Sequence, residues 1–172
     1  MHESHPLIIR PSADADSDAQ ESVMCAVYHQ TPHTPESEVF SAEKFRRHRQ
    51  VFPEGQFVAV LGDRLVGFTV SMRFPYREKD PIHEPWLTTI SDGWLTRHDP
   101  AAEWLYGVET CVMTEIHSRG IGGALMHARF DLVKALNLRG IVGGSGLISY
   151  RANVEQHGMI AAPEDIAYGT SK

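Results

Sequence analysis

Cysteine is scarce in this chain of 172 residues: Cys25 and Cys111 are the only two. Each sits in an apolar segment and reads as a small buried hydrophobe, which excludes a disulfide framework. No apolar run approaches the roughly 20 residues of a membrane-spanning helix. The opening MHESHPLIIR lacks the basic start and long apolar stretch of a secretory signal, so a cytoplasmic protein is expected. Positive charge is also short: the formal net charge is −6, whereas a nucleic-acid surface needs a basic face. Neither GxxxxGK(S/T) nor GxGxxG occurs, so the familiar nucleotide loops are missing. Ser145 lies in Gly-Gly-Ser-Gly-Leu and lacks the GxSxG setting of a hydrolase nucleophile. His83, Glu84, Asp92, His98 and Asp99 share one segment, but their spacing matches no zinc or calcium signature, and no metal is expected. They read as pocket groups or as a solvated loop.

What is present is ordinary for a globular protein: 42% apolar and 22% charged residues. A chain this long buries about 70% of its unfolded surface as one domain. We expect a single domain over residues 1–172, with a core at 6–150 and an irregular tail at 151–172. Leu7 to Arg10 reads as a strand. Asp14, Asp16, Asp18 and Glu21 crowd a helix start, where negative charge is favourable. A second helix is expected from near Ser37 to Pro53, carrying Phe40, Phe45 and the cluster Arg46, Arg47, His48 and Arg49, which reads as a solvated face. Gln56 to Leu61 and Arg64 to Phe74 form a hairpin at Gly62-Asp63. Pro75 to Glu103 has no clear period, and a loop of that length is usually functional. Its Trp86 and Trp94 either wall a pocket or anchor the loop.

The most telling run is Leu105 to Met126, LYGVETCVMTEIHSRGIGGALM. An apolar strand leads through Gly120, Gly122 and Gly123 into a helix expected from Ala124 to Leu138. The first helical N–H groups lack internal partners and favour an anion, and glycines let the main chain approach it. A short strand, Arg139 to Gly144, follows.

This run resembles the acetyl-coenzyme A loop of the GNAT superfamily of N-acetyltransferases, whose pattern falls on His117-Ser118-Arg119-Gly120-Ile121-Gly122. His117 stands where that family has Gln or Arg. With the hairpin and with HDP (98–100), LYGVE (105–109) and NLRGIVGG (137–144), the chain looks most like acetyltransferase domains found N-terminal to carbon–nitrogen hydrolases. The resemblance covers roughly residues 6–150. It implies an α/β (α+β) fold, a mixed, mostly antiparallel sheet flanked by helices, whose fourth and fifth strands splay apart. It also implies coenzyme A contacts at Cys111, Val112 and Met113 on the fourth strand and at His117, Ser118, Arg119, Gly120, Ile121, Gly122, Gly123 and Ala124. The basic cluster at 46–49 then becomes a second candidate contact, to the coenzyme's 3′-phosphate. No strand pair is visible after Gly144, so the family's final β-hairpin is expected to be missing. A second copy of the chain would then cover the fifth strand, with an interface around Ile141 to Tyr150 and the tail, giving a homodimer.

Acetyl transfer to a primary amine requires the amine to lose a proton. For a lysine-like group that costs about 4 to 5 kcal/mol at pH 7. Glu109, a carboxylate on a strand, is the candidate general base; its other reading is an exposed or ion-paired glutamate. By resemblance Tyr150 is the candidate general acid, with Tyr168 behind it; a packing role is the other reading of Tyr150. Two functions follow. One is an N-acetyltransferase in which a small-molecule or protein amine attacks acetyl-coenzyme A directly in a ternary complex. The other is a non-catalytic acyl-coenzyme A binding or interaction module.

Overall fold

The computed structural model describes residues 6–144, apart from 33, 35–36, 81 and 118. Five strands form one sheet in chain order: β1 (Leu7–Pro11), β2 (Gln56–Leu61), β3 (Arg64–Phe74), β4 (Trp104–Val112) and β5 (Gly140–Val142). All neighbours are antiparallel except β4 and β5, which run parallel. Helices α1 (Ser17–Tyr28) and α2 (Ala42–Val51) cover one face of the sheet. Helix α4 (Ile121–Ala135) covers the other, and a single helical turn, α3 (Trp86–Thr89), interrupts the long loop.

The core on the α1–α2 face is built around Met24, Phe40, Phe45, Phe68 and Met72, all buried. Strand β3 is central, and seven consecutive residues in it are buried, as expected for a strand covered on both faces. Asp16 opens α1. Arg10 grips its carboxylate from both guanidinium nitrogens at 2.7 and 2.8 Å, which holds the acid below its ordinary range.

Helix α2 begins at Ala42, later than the expected start near Ser37. Ser41 caps it, its Oγ accepting the Lys44 N–H at 3.3 Å, so Phe40 lies just outside the helix. The basic cluster is not one solvated face. Arg49 is turned inward onto Asp14, Ser12 and Ser17. His48 is 1% exposed. Its Nε2 lies 2.7 Å from the Gly93 carbonyl, and its ring sits edge-on to Phe40 and Phe45. Only Arg46 and Arg47 remain exposed.

Burial pulls the His48 pKa from 6.5 down to about 4. Between those values the unfolded chain binds the proton and the folded chain does not. Stability contributed by neutral His48 is therefore present above pH 6.5 and is lost as pH falls toward 4, by up to about 3 kcal/mol. Urea unfolding of the wild type and of His48→Gln at pH 7 and 4.5 checks this. The wild type should lose the larger share of its stability on acidification.

The long loop is more ordered than its sequence suggests. Ile90 and Leu95 are fully buried, and His98 stacks on Phe52 while its Nδ1 accepts the Arg73 N–H. Apolar residues at irregular spacing do this packing, so no period betrays it.

Strands β4 and β5 pair only over Trp104–Tyr106 and Gly140–Val142 and then diverge. A bulge lies beside the point of divergence. Val70 opposes Glu109 while Ser71 opposes Gly107, which leaves Val108 as the extra residue of β4. Residues after 144, and with them the expected missing hairpin, the dimer segment's far end and Tyr150, lie outside the described residues.

Candidate active site

The strand–glycine–helix run forms as read, with helix α4 starting three residues earlier than expected, at Ile121. The side chains of Ile121 and Leu125 anchor its first turns in the core. Gly120 precedes the helix at φ +77°, a left-handed conformation that glycine accepts without strain. The Ala124 N–H already bonds the Gly120 carbonyl at 2.9 Å, so the donors open to a ligand are those before it. A Cβ built on Gly122 or Gly123 would meet nothing within 4 Å. Glycine weakens a helix by about 1 kcal/mol relative to alanine, and internal packing requires it at neither place. A cavity of about 430 Å³ lies there, lined by Thr110, Val112, Ile116 and His117 besides the loop.

His117 replaces the expected Gln or Arg with a local role. Its Nε2 lies 2.8 Å from the Val112 carbonyl, closing the turn between β4 and the loop. Ser118 lies outside the described residues, and Arg119 belongs to the loop as expected. The three residues expected on the fourth strand divide, and Met113 lies just past the end of β4. The Cys111 side chain is buried in the core, where burial raises its thiol pKa, and Met113 gives its N–H to Val66 at 2.9 Å. By strand alternation the main chain of Val112, and that of Thr110, faces the open side. Sequence reasoning missed Thr110, which lines both the loop cavity and the cleft beyond it.

That cleft, about 800 Å³, runs between the diverging strands and joins both faces of the sheet. Met126 and Arg129 of α4 line one side, and Tyr28, Glu38, Trp86 and Glu109 the other. Glu109 is half-buried. Its Oε2 accepts the Tyr28 hydroxyl at 2.9 Å and its Oε1 the Thr110 N–H at 2.8 Å. Burial raises its pKa, and the Tyr28 hydrogen bond works against that rise. Burial also pushes the Tyr28 hydroxyl pKa up, so it stays a donor.

Arg129 is 4% exposed. Its guanidinium donates to the carbonyls of Val70 (2.7 Å) and Glu109 (2.6 Å) and to Ser71 Oγ (3.0 Å), packing against Gly107 beside the bulge. Burial lowers its pKa to about 10, so it remains charged at neutral pH. The available signal was position. Arg129 falls on the buried stripe Ile121, Leu125, Arg129 and Leu132, where a charge needs a partner. Arg129→Ala should take the guanidinium from the Val70 carbonyl, leave the Glu109 carbonyl to the Thr69 hydroxyl and cost about 3 kcal/mol, whereas an exposed control, Lys134→Ala, should change little. Urea unfolding measures both.

Among the expected pocket groups of the long loop, Glu84 reaches a cavity beside this cleft, while His98 and Asp99 brace the β3 main chain. Trp86 both walls the cleft and anchors the loop; Trp94 lies under the Lys44 ammonium. Among the described residues no three His, Cys, Asp or Glu side chains are grouped to hold a metal, and no helix is long and apolar enough to cross a membrane.

Comparison with solved structures decides the fold. The GNAT-like decarboxylase GphF, in complex with isobutyryl-CoA, superposes with a TM-score of 0.65 over 94% of this chain and 76% of its own, at 19% identity. A GNAT family acetyltransferase from Brucella melitensis in complex with acetyl-CoA gives 0.54 over 86% and 81%, at 16% identity. The chain has the GNAT fold. At these identities the likeness speaks for the fold alone. Two curated relatives come from Bacillus subtilis (strain 168). The probable hydrolase YhcX is 33% identical over 122 residues, 71% of this chain and 24% of its own length. The uncharacterized N-acetyltransferase YkwB is 25% identical over 138 residues, 80% of this chain and 61% of its own. The chain thus spans about a quarter of the first relative and 61% of the second. No protein-family model matches it.

Proposed function

We propose that this GNAT-fold protein transfers an acyl group, acetyl in the first instance, from coenzyme A to a primary amine. One observation carries the reading: Gly122 and Gly123 open the helix with empty space where their side chains would stand, beside a cavity that has Thr110 as a wall in common with the Glu109 cleft. Helix N–H groups there suit a pyrophosphate. The thioester arm would follow the open side of β4 into the gap beside β5.

In this reading the acceptor enters from the Tyr28 and Trp86 side. Glu109 takes the ammonium proton. The freed lone pair attacks the thioester carbonyl carbon, a C–N bond forms, the C–S bond breaks with its electron pair leaving on sulfur, and the nitrogen gives up its second proton as the thiolate gains one. Tyr28 holds the Glu109 carboxylate in place; Tyr150 stays the proposed acid by resemblance. Arg129 seats the bulge that aims Glu109.

Calorimetry with coenzyme A, ATP and NAD, followed by thiol release over a panel of amines, tests the proposal. Coenzyme A should bind and the nucleotides should not, and at least one amine should release thiol. Binding without turnover would return the protein to the non-catalytic module. We propose further that the protein is a cytoplasmic homodimer joined around residues 141–150. A monomer in light scattering at micromolar concentration would sink the dimer.

A further inference from the structure

Trp86 stands between two cavities. The cleft that holds Glu109 and a second chamber of about 310 Å³ share Trp86, Val142, Gly143 and Gly144 as a common wall. Trp86 is fixed there. Its indole N–H donates to the Val108 carbonyl at 3.1 Å, and its ring stacks on Phe40 at 5.8 Å. The chamber's remaining walls are Tyr76, Ile82, Glu84 and Tyr106. Tyr76 is held edge-on by Trp104 at 5.2 Å, and Tyr106 is buried. Glu84, the chamber's carboxylate, is engaged by Arg97 and by the Thr89 hydroxyl. The chamber therefore offers rings and aliphatic surface to an occupant, with its charge already neutralised. Its volume takes one aromatic ring and a short linker, and its rings favour stacked or edge-on partners. The cleft beside it differs: Glu38 and Glu109 line it, and Arg129, its cation, is turned onto main-chain carbonyls, so the carboxylates are left to an ammonium group.

We propose that the acceptor is an arylalkyl primary amine, with its nitrogen at Glu109 and its aromatic body behind Trp86 among Tyr76, Ile82 and Tyr106. The inference rests on the acyl-transfer reading for which end of the amine reacts.

The test compares 2-phenylethylamine, propylamine and 1,3-diaminopropane, by kcat/KM with acetyl-CoA and by calorimetry on the protein–coenzyme A complex. Phenylethylamine should be favoured over propylamine by about 10- to 100-fold, and the diamine should gain nothing. Ile82→Phe fills the chamber, so the phenylethylamine-to-propylamine ratio should fall toward one while the thermal midpoint shows the fold intact. Equal values for the two monoamines in the wild type, or preference for the diamine, overturn the proposal. If coenzyme A binds but no amine is acetylated, the acyl-transfer reading fails, and the calorimetric order decides the chamber by itself. Tighter phenylethylamine then supports an aryl subsite, and equal affinities remove it.

Discussion

Gly122→Val should raise the dissociation constant for coenzyme A by at least about 100-fold and leave the fold unchanged. The two halves of that expectation have separate causes. Inside the protein a Cβ at this position meets nothing within 4 Å, and valine is no worse a helix former than glycine. Stability should therefore move by no more than about 0.5 kcal/mol. A phosphate oxygen accepting from the helix N–H groups must come within about 2.9 Å of a nitrogen, and branched methyl groups would occupy that approach. Gly120 is a poorer test because its φ of +77° would strain any side chain whether or not a ligand binds. His117→Ala should have a smaller effect on affinity, since its imidazole serves the Val112 carbonyl. Calorimetry and urea unfolding on the same samples measure both halves. Unchanged affinity in Gly122→Val would place the coenzyme elsewhere.

Glu109→Gln should lower turnover by about 10² to 10⁴ while coenzyme A affinity holds. The loss should be greatest where the amine is protonated and should shrink as pH approaches about 10, where the free amine needs no base. The pH profile carries a sharper sign. Burial raises the Glu109 pKa above its ordinary 4.5, so the acidic limb of kcat/KM should lie above that value. Below the limb the carboxyl is protonated and cannot accept. The Tyr28 hydrogen bond favours the ionised form, so Tyr28→Phe should move the limb to higher pH, and Glu109→Gln should abolish it. A wild-type profile retained in Glu109→Gln would take this residue out of the mechanism and leave water as the proton acceptor.

Local order was legible in the residues alone. The hairpin, the apolar run before Gly120, the glycine loop and the following helix each rest on neighbours within a few positions, where propensity and period act. Glu109 stood out for the same reason, as a carboxylate in a strand. Its direction did not. Strict alternation along β4 would have put Glu109 with Leu105 on the α4 face. The bulge at Val108 shifts the phase, so Glu109 shares the α1 face with Cys111 and meets Tyr28, 81 positions away in the chain. Arg129 shows the same divide: its place in a helical stripe was readable, but the carbonyls that satisfy it come from β3 and β4. His48 and Arg49 read as solvated because a charged run usually is, yet α1 and Gly93 supply the partners that draw them inward. The sequence by itself determined the elements and the glycine loop between β4 and α4, because period and turn chemistry are local. Which carboxylate faces the cleft, and with what partner, was decided only by tertiary structure, because one extra residue in a strand reverses every side chain beyond it.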